Sequence, residues 1–200
     1  MKETRTLICI PDISGFTEFM SEADFELSSK VIPSLLNNII YSNEIGLKIS
    51  EIEGDAVLFY RQGRLPSLQS VLDQCHYFYT EFYRKLHELR EQYLKNENAN
   101  SIPAILGLKI ILHYGTQIAP VKVGSRIKLL GEDLIVAHRL LKNNVPFDEY
   151  ILLSDDFIST YSEEELEKTL SRTSFLKKVE SYDHVGEVAY YYMQLVPPQA

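Results

Sequence analysis

Residues 7–17, Leu7-Ile8-Cys9-Ile10-Pro11-Asp12-Ile13-Ser14-Gly15-Phe16-Thr17, decide how this chain is read. The apolar run Leu7–Pro11 predicts a short buried strand ending at Asp12, and Ser14-Gly15 behind it predicts a tight turn and a helix start. A second segment, Glu51-Ile52-Glu53-Gly54-Asp55-Ala56, places a Gly-Asp turn between two extended runs, 47–52 and 56–60, and so predicts a β-hairpin. A sheet that brings the end of the first strand beside this hairpin presents Asp12 and Asp55 at one edge. Paired carboxylates of that kind bind hard divalent cations. The loop from Ile13 to Thr17 adds backbone N–H groups and a helix dipole suited to a phosphate chain. Each segment alone also has an ordinary structural explanation, as a helix N-cap and as a hairpin turn.

Working outward, apolar residues at helical spacing predict a helix over about 28–43, with Pro33 suited to its first turn. A long amphipathic helix is expected from Leu68 to Tyr93, followed by an exposed polar loop over 96–101. Strands are expected over 104–112, 117–123 and 126–130, then a helix over about 133–142 and a strand over 150–153. Short helical patterns around Asp156 and Glu163 precede a closing strand pair, 174–179 and 188–195. Short hairpins mixed among helical crossovers predict an α+β fold: one mixed, mostly antiparallel sheet covered by helices, built on a ferredoxin-like core. The 200 residues are enough for a single domain, 1–200.

Composition narrows the function classes. The 20 basic residues against 28 acidic ones give a net charge of −8, and no basic cluster supports nucleic-acid binding. Without that basic surface, Tyr190, Tyr191 and Tyr192 are read as packing residues rather than base-stacking platforms. The two cysteines, Cys9 and Cys75, read as buried hydrophobes of a reducing compartment. No signal peptide or membrane-spanning run is apparent, so a cytoplasmic protein with no membrane partner is expected. His113 is read as structural, and the run Glu163-Glu164-Glu165 with Glu167 as a solvated helix face.

Asp12-Ile13-Ser14-Gly15-Phe16-Thr17 resembles the first metal-binding motif of the class III adenylyl and guanylyl cyclases. Glu51 to Ala56 resembles the second metal hairpin of that family, Leu108 to Gly124 its central strand pair, and Gly131 to Arg139 its catalytic helix. The resemblance runs from about residue 5 to 195. The chain is also similar to an uncharacterised bacterial family of stand-alone cyclase-like proteins that share Asp-Ile-Ser-Gly-Phe-Thr, Glu-Gly-Asp-Ala and a His-Arg-Leu-Leu-Lys helix.

The resemblance implies a class III nucleotide-cyclase-like fold and a homodimer with composite sites acting on a nucleoside triphosphate. It implies that Asp12 and Asp55, with the Ile13 carbonyl, hold two Mg2+ or Mn2+ ions and that the Phe16 and Thr17 amides grip the phosphates. It also implies that Arg139 stabilises charge on the α-phosphate. Glu51 and Lys128 fall at the base-reading positions. A carboxylate accepting from guanine N1–H and its amino group, with an ammonium meeting O6, favours guanine over adenine; the two side chains can also pair with each other. Two departures point to a catalytically silent nucleotide- or metal-binding or protein-interaction module as the alternative. The family asparagine four residues before the arginine is Ile135 here, a loss on the order of 3 kcal/mol in transition-state stabilisation. The C-terminal lysine region reads Asp183-His184-Val185-Gly186-Glu187.

Overall fold

The computed structural model describes residues 5–94, 102–171 and 173–198. In chain order they form β1 (Thr6–Ser14), α1 (Phe16–Glu22), α2 (Phe25–Tyr41), β2 (Lys48–Glu53), β3 (Ala56–Gln62), α3 (Leu68–Gln92), α4 (Ile102–Ile105) and β4 (Gly107–Gly115). There follow β5 (Ile118–Val123), β6 (Arg126–Gly131), α5 (Glu132–Leu140), β7 (Tyr150–Ser154), α6 (Asp155–Ile158), α7 (Glu163–Leu170), β8 (Leu176–Tyr182) and β9 (Gly186–Gln194). Seven strands make one sheet in the order β2-β3-β1-β4-β7-β9-β8, and β5 pairs with β6 in a separate hairpin. Among the described residues only β4 and β7 pair in parallel, and every other neighbouring pair is antiparallel. The expected α+β plan is therefore the observed one.

The apolar run in β1 has a direct cause. Leu7, Cys9 and Ile13 enter the core beneath α2 and α3, whereas Ile8 and Ile10 enter the opposite core with Ala137 and Leu140 of α5 and Leu129 of β6. A strand covered on both faces has no solvent side to mark by alternation, so its sequence reads as a continuous apolar run. β4 and β7 behave in the same way, with Ile110 and Leu112 on one face and Ile111 on the other.

Four local expectations change. β1 continues to Ser14 instead of ending at Asp12, because β4 pairs with it as far as Ser14↔Gly107. The second helix starts at Phe25, where the Asp24 side chain caps the Leu27 amide at 2.7 Å. Pro33 consequently lies inside that helix rather than in its first turn, tolerated because Leu27, Val31, Ile32, Leu35, Leu36 and Ile39 anchor the helix to the core. The fourth strand begins at Gly107, since Ile102–Ile105 form a short helix. Residues 96–101, expected as a polar loop, lie outside the described residues.

Candidate functional site

The β1–β3 pairing sets Asp12 opposite Ala56, so the end of the central strand lies against the β2–β3 turn that carries Asp55. The Ile13 amide donates to the Asp55 carbonyl at 3.0 Å and fixes that contact through the backbone. The two carboxylates expected from the sequence therefore meet at one sheet edge. Gly54 closes the turn at φ 62°, a left-handed backbone that favours glycine.

Asp12 is an expensive residue in this position. Its side chain is 13% exposed, and its one ion pair among the described residues is to Lys109 Nζ at 3.8 Å. Burial pushes its carboxyl up to about 6; Lys109 opposes that rise and the nearby Asp55 charge adds to it. Lys109 was not singled out from the sequence, although a lone lysine inside the apolar strand Gly-Leu-Lys-Ile-Ile-Leu was a signal, since a buried ammonium needs a carboxylate partner.

Behind Asp12 the chain turns through Gly15, whose φ of 75° and open side admit the backbone of α4: a Cβ there would lie 1.9 Å from the Ile105 carbonyl oxygen. Ser14 Oγ donates to the Asp148 carbonyl. Phe16 and Thr17 open α1, so their amides lack intrahelical acceptors and lie next to the Asp12 strand end. Ile13 is fully buried in the core against which Phe16 packs.

Glu51 and Lys128 come together within the same chain, with Nζ donating to Glu51 Oε2 at 2.7 Å. A register shift between Ile49 and Glu51 bends β2, and the Leu129 amide reaches Ser50 Oγ at 3.4 Å, so the β5–β6 hairpin docks on β2. No residue in 48–53 announces that bulge. His138 Nδ1 stands 3.8 Å from Glu53 Oε2 and adds a further contact between α5 and β2.

Arg139 lies in the last turn of α5, half-buried and with no ion pair among the described residues. Ile135 on the same helix is 54% exposed, and Ile49, Ile52, Val123, Ile127 and Leu130 are exposed on β2 and the β5–β6 hairpin. Asp183 to Gly186 form the β8–β9 turn, closed by the Val185 amide on the Tyr182 carbonyl at 3.1 Å, with His184 at φ 66°. Glu165 has a structural task that its place in an acidic run concealed: its Oε1 accepts from the Leu68 amide at 2.7 Å and caps α3.

The family described as "Protein of unknown function (DUF2652)" matches residues 32–150. The chain belongs to that family. The DUF2652 match covers the β2–β3 hairpin, α3, β4, the β5–β6 hairpin and α5, and leaves out β1 with Asp12. A curated relative, the uncharacterized protein Rv2561/Rv2562 of Mycobacterium tuberculosis, is 26% identical over 161 residues, 80% of this chain and 72% of its own.

Solved structures place the DUF2652 chain among class III cyclase folds. The catalytic core of a rhodopsin-guanylyl cyclase with converted specificity, in complex with ATPalphaS, superposes with a TM-score of 0.63 at 14% identity over 97% of both chains. The adenylyl cyclase CyaB from P. aeruginosa gives 0.59 at 17% identity, over 96% of this chain and 95% of that one. A non-canonical dimeric guanylyl cyclase domain of the RhoGC fusion protein from the aquatic fungus Blastocladiella emersonii gives 0.58 at 15% identity, over 95% and 96%. At such identities the likeness shows the fold. Among the described residues no helix is long and apolar enough to cross a membrane.

Proposed function

We propose that residues 1–200 form one cyclase-homology domain that converts a purine nucleoside triphosphate, guanine in preference to adenine, into a cyclic nucleotide and pyrophosphate. The observation that carries this reading is the meeting of Asp12 and Asp55 at the end of the central strand. Two adjacent hard oxygen donors, one of them buried with an incompletely compensated charge, suit Mg2+ or Mn2+. Asp12, Asp55 and the Ile13 carbonyl would hold these ions, which supply activation of the ribose 3′-hydroxyl for attack on the α-phosphorus and neutralise the phosphates.

The remaining work falls to the chain's own groups. The Phe16 and Thr17 amides bind the phosphate chain at the start of α1. Glu51 accepts from guanine N1–H and the amino group, and Lys128 donates to O6; the base enters by exchanging their mutual 2.7 Å bond for these two contacts. Arg139, without a carboxylate partner among the described residues, meets the α-phosphate across a homodimer in which each site draws on both subunits. The exposed apolar residues of β2, β5, β6 and α5 supply the self-association surface.

A second reading is supported by Ile135, which sets an exposed apolar side chain where the cyclases carry asparagine. On that reading the dimer binds nucleotide, metal or a partner protein without turnover. Incubation of the purified protein with each nucleoside triphosphate and Mg2+ or Mn2+, with products resolved by mass, separates the two. A cyclic product abolished by Asp12→Asn and Asp55→Asn establishes the enzyme; a folded dimer that binds nucleotide and forms no product establishes the binding module.

A further inference from the structure

The opposite end of the sheet carries its own concavity. Thr6 pairs with Gln62 and with Gly115, so the start of β1 and the ends of β3 and β4 share one edge, six residues and roughly 20 Å along the strand from Asp12. There the segment after β3, the β4–β5 turn and the α6 region enclose a cleft of about 1140 Å3. Small-molecule sites typically occupy about 300–1,000 Å3, so this space is ample for one.

The polar groups around it are unevenly committed. Asp133 accepts from the Gln117 amide at 2.6 Å and stands 3.5 Å from Nε2 of His113, while Glu165 is engaged by the Leu68 amide. Gly115 leaves room for the first of these, since a Cβ there would lie 1.9 Å from Asp133 Cγ. Arg5 and Arg64, which line the same cleft, have no hydrogen bond or ion pair among the described residues. In a chain with 28 acidic and 20 basic residues, other cations such as Arg84 and Lys128 do find carboxylates. His113 adds a buried group directed at the cleft wall: it is 1% exposed, its Nδ1 is held by Ser154 Oγ at 2.8 Å, and its Nε2 has no hydrogen-bond partner.

We infer that this cleft is a second ligand site, for a small phosphate monoester, distinct from the Asp12–Asp55 edge. Two uncommitted guanidiniums supply the planar donors that phosphate oxygens take in pairs. The hydroxyls of Ser159 and Thr116 face a hydroxylated remainder. Of the three carboxylates on the lining, Asp133 and Glu165 accept from backbone amides, which offsets part of their repulsion of a phosphate, and Asp156 is exposed, where solvent and salt screen it. The inference stands on the cleft alone and does not depend on the cyclase reading.

Amide chemical shifts of the whole 15N-labelled chain, titrated with glycerol 3-phosphate in the presence of EDTA, test it, with glycerol and inorganic phosphate as comparison probes. The expected result is saturable movement of the Arg64, Ser67 and Gly115–Gln117 amides by the phosphate ester. Glycerol should not produce it, and inorganic phosphate should give a weaker form. Affinity should fall about tenfold or more in the Arg5→Gln/Arg64→Gln variant and stay unchanged in Asp12→Asn. Both arginines are exposed, so the double variant should keep its fold, and a matching spectrum elsewhere verifies that. The inference is overturned by shifts that do not saturate, that survive in the double variant, or that gather around Asp12 and Asp55.

Discussion

Asp12 and Glu180 are carboxylates at two ends of one problem. Glu180 accepts from Tyr190 Oη at 2.7 Å, Tyr182 Oη at 2.8 Å, the Asn144 amide at 3.0 Å and Lys178 Nζ at 3.0 Å. Burial pushes its carboxyl up, but these donors outweigh it and hold the group at about 2. Asp12 has Lys109 at 3.8 Å and a second carboxylate nearby, and burial carries it up to about 6. One acid has been satisfied by its own fold. The other is kept at a cost that the fold does not offset, which is the usual mark of a group retained for binding.

That contrast can be broken in several ways, and the largest effect is on cation binding. Asp12→Asn or Asp55→Asn should weaken Mn2+ binding by more than about 100-fold by titration calorimetry, whereas Glu180→Gln should leave it unchanged. Retained Mn2+ affinity in Asp12→Asn would remove the reason for treating the two acids differently. Next in size is the turn that sets the end of β1. Gly15→Ala should cost about 2–4 kcal/mol in denaturant unfolding, since it forces a side chain into the Ile105 carbonyl at a left-handed backbone.

The two acids should then differ in the sign of their effect on stability. The unfolded chain ionises Asp12 near its ordinary value of 3.8 and the folded chain only near 6, so this group lowers stability as pH rises from about 4 to 6 and keeps it lowered above. Without divalent ions, Asp12→Asn should therefore stabilise the protein by about 2 kcal/mol at pH 8 and by progressively less towards pH 4. Glu180 works the other way. Its contribution is complete above its ordinary 4.5 and disappears as pH falls towards 2, so Glu180→Gln should cost about 1 kcal/mol at neutral pH and little in strong acid. Thermal melts of both variants across pH measure the crossing. The smallest effect belongs to the exposed Lys30–Glu26 pair, where Lys30→Ala should leave the denaturant midpoint unchanged within measurement.

The fold was largely legible because its central strands are buried on both faces and its long helices carry one apolar stripe. β1, α3 and the β2–β3 hairpin were all apparent from spacing alone. The Asp12–Asp55 meeting was legible from a strand end and a turn, whereas the option of a Glu51–Lys128 pair came only through the cyclase resemblance. What escaped were effects of tertiary contact. β1 runs past Asp12 because β4 supplies partners for it, and Phe25 begins α2 because Asp24 caps it, while helical spacing begins to register only near Ser28. The bulge at Ser50 has no local residue to announce it, since it answers to the docking of the β5–β6 hairpin. Lys109 and Glu165 were hidden because their roles are defined by partners distant in the chain.

The place of β1 also governs how the molecule must be assembled. It leaves the ribosome before either strand that it pairs with, and its β3 edge can be covered once Gln62 has emerged. Its β4 edge has to wait for residues 107–115, and the parallel partner of β4 is not complete until Ser154. Pairings so far apart in the chain are slow to close, and an apolar strand with a bare edge is prone to stick to other chains in the interval. The strand that carries Asp12 is therefore made before its partners and enclosed late, and the yield of soluble protein should depend on how quickly synthesis passes from Leu7 to Gly115.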